Sequence, residues 1–304
     1  MSHLLEGTGS PTAALQHNSK QPGRRAPRTR TQNRRAARWA LYTGLIVAVA
    51  LTLLPFIWML LSSFKTQGEL LRRPITWWPD EFTTANYLTW FTDFRIDTFF
   101  VNSLIVAVVT VLGNLIFCSM IGYALAKMEF RGKKVLFGLV MVTLMVPGVV
   151  TFVPLFVLVS NMGLVNTYPA LILPFLVSPL GVFLMRQFML GIPDSLMEAA
   201  RIDGAGEWRT FTRVVLPQCG PPLATLAILT FLGSWNNFLW PLVAAQEERM
   251  YTLPVALSLF SQGQFSTNYG ILLAGSVLVI APIVVLFIGL QRYFIQGVAM
   301  TGIK

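Results

Sequence analysis

The sequence predicts an all-α integral membrane protein of six transmembrane helices, with a short helical excursion outside the membrane between the fourth and the fifth. Three observations lead there. Of 304 residues, 54% are hydrophobic and 12% are charged, about half the charged share of a soluble domain. Six runs carry no Asp, Glu, Lys or Arg: Trp39 to Leu61, Phe99 to Ala126, Val135 to Ser160, Met162 to Met185, Cys219 to Ala245 and Tyr269 to Leu290. Each reaches the roughly 20 residues with which a helix crosses about 30 Å of hydrocarbon. The runs are also apolar all round, whereas the strands of a membrane barrel alternate over about 10 residues.

Ahead of the first span, residues 1–38 are rich in Gly, Pro, Ser, Thr, Gln and Arg without apolar periodicity, which predicts a disordered basic tail before a six-helix domain over 39–304. The first apolar run is too long, and stands too far from the start, for a cleaved signal whose core has about 7 to 15 residues. Arg34 and Arg35 read as an orientation anchor rather than an export address. Pro147 and Pro154 in the third span, Pro169, Pro174 and Pro179 in the fourth, and Pro282 in the sixth predict kinks packed against neighbouring helices.

Orientation follows from the basic residues. Of the 23 Lys and Arg, only Lys65, Arg72, Arg73, Arg95 and Arg249 fall on one side; all others lie in the tail, in the connections near 127–134 and 186–213, or at the end of the chain. The excess of positive charge places both termini and the 186–218 connection in the cytoplasm, and the loops Ser62 to Thr98 and Gln246 to Asn268 outside. The net charge of +10 is this topological signal plus attraction to anionic lipid. No nucleic-acid partner is expected, because the arginines of the tail are not interleaved with aromatic residues.

The chemistry inside the spans is neutral. Cys118 and Cys219 are isolated, and His3 and His17 both fall in the tail, so neither a metal site nor histidine catalysis is expected. The spans lack the ionisable groups that ion-coupled transporters hold at bilayer depth. Asn102, Ser234, Asn236 and Asn237 supply neutral donors and acceptors, and Trp235 and Trp240 in "GSWNNFLWPL" supply ring faces, which together suit a neutral hydroxylated substrate. The same residue types join helices or sit at membrane interfaces, and that reading stands beside the first. No stretch fits G-x-x-x-x-G-K-[ST], and "RGKK" at Arg131 to Lys134 lacks the upstream glycine and the hydroxyl of a phosphate loop. The chain is therefore expected to bind no ATP, and active transport would require a partner protein and a handle for it.

Residues 198–217, "EAARIDGAGEWRTFTRVVLP", provide such a handle. Ser195 and Glu198 stand at capping-box spacing behind Pro193 and Asp194, which predicts a helix from near Ser195. Gly204 and Gly206 stop it, with Gly204 suited to a positive φ. A second helix from Glu207 puts Trp208, Phe211 and Val215 on one face and Arg209 and Arg213 on another, and ends at Pro217 and the "GPP" of Gly220 to Pro222. Ala199, Ala200 and Gly204 offer small side chains where another protein approaches closely.

Glu198, Ala199, Ala200, Gly204, Val214, Leu216 and Pro217 match the pattern E-A-A-x3-G-x9-[IV]-x-L-P without a gap. In this the chain resembles the membrane subunits of binding-protein-dependent ATP-binding-cassette importers, and within them the carbohydrate-uptake branch. "VNSL" at Val101 to Leu104, "GYALAKMEFRGKK" at Gly122 to Lys134, "GLVNTYPALILP" at Gly163 to Pro174, "WNNFLWPL" at Trp235 to Leu242 and "QRYFIQG" at Gln291 to Gly297 extend the likeness from about Trp39 to the end. The resemblance implies a type I ABC importer permease fold in a bacterial or archaeal cytoplasmic membrane. It also implies a second permease subunit, two ATPase subunits that carry ATP and Mg, and an external binding protein that delivers a sugar. On this resemblance Glu198, Ala199, Ala200, Asp203, Gly204, Leu216 and Pro217 form the ATPase-coupling site, and the short helix docks in a cleft of the ATPase. Glu198 then meets a basic residue of the ATPase, beside its capping-box role. The ending "AMTGIK" departs from the family's Gly-Ala-Val-Lys-Gly-like tail, so no tail contact carries over. A polyol or glycerol phosphate importer remains an alternative substrate reading, and a stand-alone channel or an ion-coupled transporter remains another class.

Overall fold

The computed structural model describes the backbone of residues 30–262 and 268–301, and the side chains of 38–261 and 268–289. All regular structure among the described residues is helical. Contacts divide the chain into two units that meet at Pro55 and Phe56. The described part of the first unit is the leading section of α1 (Arg30–Ser62), which starts ahead of the apolar run at Trp39, so Arg34, Arg35 and Arg38 lie on helical backbone. The rest of the expected basic tail, 1–29, falls outside the described residues.

The second unit is built around α4 (Ile96–Lys127), 32 residues long and therefore about 48 Å from end to end. Two short helices, α2 (Gln67–Leu71) and α3 (Ala85–Thr92), precede it. α3 is tied to the last helix by a hydrogen bond from Trp90 Nε1 to the Ile271 carbonyl, 2.8 Å. The third apolar run forms α5 (Lys133–Met145) and α6 (Gly148–Asn161), and the fourth forms α7 (Tyr168–Ile172), a 3-10 turn over Leu173–Phe175 and α8 (Pro179–Leu190). Beyond them come α9 (Asp194–Ile202), α10 (Glu207–Thr210), α11 (Gly220–Trp235), α12 (Leu239–Ala244), α13 (Leu253–Gln262) and α14 (Tyr269–Thr301). α4 packs along α8 and α11, and α14 lies against α11. Gly122 makes the first contact possible: a Cβ there would stand 2.8 Å from the Met185 Cβ and 3.0 Å from the Arg186 nitrogen.

Among the described residues, four helical stretches are long and apolar enough to cross a membrane, and up to six if each bent pair is one span. The prolines decide the bends. α5 and α6 meet at 104°, a break rather than the kink expected of the third run. Pro147 donates no hydrogen bond and forces Val146 into extended backbone, φ −80° and ψ 119°, so the helix must stop and restart. The fourth run bends by 40°, where Ser178 caps α8 by accepting from the Gly181 N–H at 3.0 Å and Pro179 takes the first helical position.

The fifth run shows the opposite outcome. Pro217 and "GPP" were expected to end the helix from Glu207, yet helical backbone continues from Glu207 to Trp235. The chain absorbs Pro217 by widening to a π turn over Phe211–Val215 and tightening to a 3-10 turn over Leu216–Cys219. Gln218 Nε2 donates to the Val214 carbonyl at 2.8 Å, which supplies a donor where the ladder is disturbed. Pro221 and Pro222 sit in the first turn of α11, where no N–H is needed.

Candidate functional site

The 186–218 segment is held to the end of α4 by charge. Lys127 Nζ donates to the Ile192 carbonyl and to Asp194 Oδ1, both at 2.6 Å. Its own side chain is 4% exposed and that of Asp194 75% exposed, so a buried ammonium reaches out to a surface carboxylate. The Lys127 hydrogen bond and charge hold the Asp194 carboxyl below the usual carboxylate range. One turn earlier, Tyr123 Oη donates to Glu207 Oε2 at 2.8 Å, and Glu207 Oε1 accepts from Arg201 at 2.9 Å. The Tyr123 ring lies 5.1 Å from that of Phe211. One face of α4 thus fixes the start of α9 and the start of α10.

This clamp explains a departure from the expected helix start. α9 begins at Asp194, with Pro193 as its N-cap and no capping side chain, so the Ser195–Glu198 capping box does not form. Lys127 fixes Ile192 and Asp194 and sets the entry of the chain, and Asp194 supplies the negative charge favoured in a first helical turn. At the other end the expected glycine turn is present. Gly204 has φ +76°. Its N–H donates to the Arg201 carbonyl at 3.0 Å, and the Ala205 N–H donates to the Ala200 carbonyl at 2.9 Å, the paired bonds of a Schellman cap.

α9 buries Met197, in one cluster with Tyr123, Phe211 and Val215, and also Ala200, and turns its other side outward. Glu198, Ala199 and Asp203 are exposed, as is Pro217, while Leu216 is half-buried. Of the coupling residues suggested by the pattern, Ala200 therefore serves packing within the chain and the others remain accessible. Ile202 at 86% exposure, together with Trp208 and Leu196, gives this surface uncovered apolar area. On the expected face of the second helix Phe211 and Val215 are buried and Trp208 is not.

The candidate pathway residues divide. Asn102 is spent on structure: its Nδ2 donates to the carbonyls of Arg249 at 2.9 Å and Tyr251 at 3.0 Å, and its Oδ1 accepts from Tyr168 at 2.6 Å. Trp235 is buried, stacked on Phe231 at 5.4 Å, and donates to the Val279 carbonyl. Trp240 is buried between Phe152 and Phe175 and donates to the Ala170 carbonyl. The ring faces expected to meet a sugar are covered by other aromatic rings. Asn236 is exposed and bonds back to the Leu232 carbonyl of its own helix. Ser234 and Asn237 alone of the six line a cavity, of about 400 Å³, between α4, the α7–α8 break and α11. Thr110, Asn114, Ser178 and Thr230 join them there. A larger, apolar cavity of about 1020 Å³ opens between α4, α11 and α14.

Up to six membrane-crossing segments among the described residues, with a braced, partly apolar helix between the fourth and the fifth, define a multi-pass membrane protein. The sequence profile of the family described as "Binding-protein-dependent transport system inner membrane component" matches residues 118–300, and the chain belongs to that family. It is 45% identical over 269 residues to the arabinooligosaccharides transport system permease protein AraQ of Halalkalibacterium halodurans, covering 88% of this chain and 96% of AraQ. It is 35% identical to the diacetylchitobiose uptake system permease protein NgcG of Streptomyces coelicolor, covering 82% and 83%. In fold it matches a chain of a bacterial ABC transporter involved in import of the acidic polysaccharide alginate, with a TM-score of 0.77 at 24% identity over 88% of this chain and 98% of that one. The fold is that of a type I ABC importer permease.

Proposed function

We propose that this chain is one of two membrane subunits of an ATP-driven sugar importer, and that α9 is its coupling helix. The observation that carries the reading is α9 itself, braced from behind by Lys127 and Tyr123 while Glu198, Ala199, Ile202 and Asp203 face outward. A helix held this way transmits a push to α4 and, through the unbroken backbone from Glu207 to Trp235, to the fifth span. Two ATPase subunits carrying ATP and Mg would supply the push, a second permease would complete the pathway, and an external binding protein would deliver the substrate. ATP-driven closure of the ATPase pair then rocks the permeases between inward and outward access as rigid bodies. Both termini and α9 lie in the cytoplasm, on the strength of the basic residues.

A neutral saccharide is supported by the relatives that carry arabino-oligosaccharides and diacetylchitobiose by name. The cavities between the helices point the same way: among the described residues, neither the 400 Å³ nor the 1020 Å³ cavity is lined by Lys or Arg. A glycerol phosphate would want such a cation. The test is reconstitution of the complete importer in vesicles with arabinotriose, diacetylchitobiose or lactose. ATP-dependent accumulation of at least one is expected, absent without the ATPase subunits. Accumulation driven by an ion gradient alone would overturn the importer reading.

A further inference from the structure

The stretch between α1 and α3 is built to hold a shape. Lys65 and Glu69 pair at 3.3 Å with side chains only 3% and 5% exposed. Thr76 joins them: Lys65 Nζ donates to the Thr76 carbonyl and to its Oγ1 at 2.9 Å, and the hydroxyl donates to Glu69 Oε1 at 2.8 Å. Glu69 also accepts from the Asp80 N–H at 3.2 Å. Asn86 Nδ2 ties the stretch to α3 by donating to the carbonyls of Ser63, 2.8 Å, and Lys65, 2.9 Å. What this bonded loop turns outward is largely apolar: Leu71, Ile75, Trp77, Trp78 and Phe82 are each between 54% and 68% exposed. The two indoles stand apart from the buried ones. Trp90, Trp235 and Trp240 each donate Nε1 to a carbonyl, whereas among the described residues the Nε1 of Trp77 and of Trp78 has no partner.

We infer that this loop is an interfacial anchor, and that what covers it is the headgroup region of the bilayer on the side where α1 ends. Placement carries the inference. The span Arg38–Ser62 has 25 residues, about 38 Å of helix against about 30 Å of hydrocarbon, so the chain reaches the headgroups at Ser62. The Thr83 N–H donates to the Phe64 carbonyl at 2.9 Å, which brings the far end of the loop back to that level. Rings extend the contact, from Phe64 to Phe82 at 6.0 Å and from Phe82 to Trp78 at 6.1 Å. An indole with an apolar body and an unpaired N–H suits this zone, where acyl chains meet the ring and lipid carbonyls or water accept the bond. Charge agrees. Lys65, Arg72 and Arg73 balance Glu69, Asp80 and Glu81, so the loop neither requires nor repels anionic lipid. The anchor fixes the depth of the end of α1 and, through the Trp90 bond to Ile271, of the start of α14. The inference stands on the membrane spans, whatever the substrate.

The test uses the full chain, purified with its natural partners and placed in phosphatidylcholine vesicles, and compares it with the double variant Trp77→Phe/Trp78→Phe. Subtracting the emission of the variant isolates these two indoles from every other tryptophan. That difference emission should be lost to lipids brominated near the headgroup, less to lipids brominated at the chain ends, and hardly to iodide in the water. Quenching by iodide alone overturns the anchor. So does shielding that appears only when a soluble partner protein is added, which would assign the loop to that protein instead. A second variant keeps both tryptophans. Ile75→Cys, at a position 68% exposed, carries a nitroxide that should collide with lipid-soluble oxygen more than with a water-soluble nickel chelate. The reverse preference overturns the proposal as well.

Discussion

The two ends of α4 are fastened by different chemistry. At one end Asn102 and Ser103 hold the 249–253 segment through neutral bonds: the two from the Asn102 amide, and a third from the Leu253 N–H to Ser103 Oγ at 2.7 Å. Both side chains are buried. At the other end Tyr123 and Lys127 hold α9 and α10 through carboxylates that reach into water. The first fastening is hidden and has no substitute when removed. The second is half in solvent, where water replaces lost partners and ions screen the charges. One end should therefore govern whether the domain folds, and the other how it engages what lies beneath it.

Substitutions should separate these roles, and the largest effect belongs to the buried end. Asn102→Leu strands the carbonyls of Arg249 and Tyr251 and the Tyr168 hydroxyl; a loss of about 3 kcal/mol is expected, at roughly 1 kcal/mol for each bond. Thermal melting of the purified importer should register it, and an unchanged melting curve would break the contrast. Next is Lys127→Met, which frees the entry to α9 while keeping its packing bulk. ATPase subunits should be lost during purification although the permease reaches the membrane at normal levels. If the permease is instead degraded, both ends of α4 serve folding alike.

Gly204→Val sharpens the picture without touching a side-chain bond. A φ of +76° costs an ordinary residue about 1–2 kcal/mol, and open space around the position removes any clash. The turn should reshape, ATPase retention and uptake should drop, and melting should barely move; Gly204→Ala should be milder. The smallest effect is that of pH. Asp194 is held below its unfolded pKa by Lys127, so its contribution is complete above that unfolded value and lost only as pH falls through the lower folded one. ATPase retention by pull-down should be flat from about pH 5 to about pH 8. A decline within that window would mean that another group governs the clamp.

Much of this architecture is legible in the sequence because the signals are local. An apolar run of membrane length declares itself, and Gly204 does too, since glycine alone takes a positive φ without strain. Proline is ambiguous in lipid: Pro147 breaks its helix, whereas Pro217 is absorbed, and neighbouring helices and a side chain such as Gln218 decide between them. The pathway residues are ambiguous for a related reason. A polar group in an apolar run signals a need for a partner without saying whether that partner is a ligand or a distant carbonyl, as with Asn102 and Trp240. Lys127, Tyr123 and Glu207 are not legible as a clamp because their partners lie 65 to 84 residues apart. The four-residue spacing of Tyr123 and Lys127 on one helical face was the only hint available.

The continuous backbone from Glu207 to Trp235 is, in mechanical terms, a rocker arm about 43 Å long. Its near end is gripped by Arg201 and Tyr123 through Glu207; its far end carries Thr230 and Ser234 on the wall of the smaller cavity. A tilt of about 5° at the gripped end displaces the far end by about 4 Å, more than the width of a hydrogen bond. The π and 3-10 turns around Pro217 are where such an arm yields first, so the stiffness of that short stretch sets how much of a displacement at α9 arrives at the cavity.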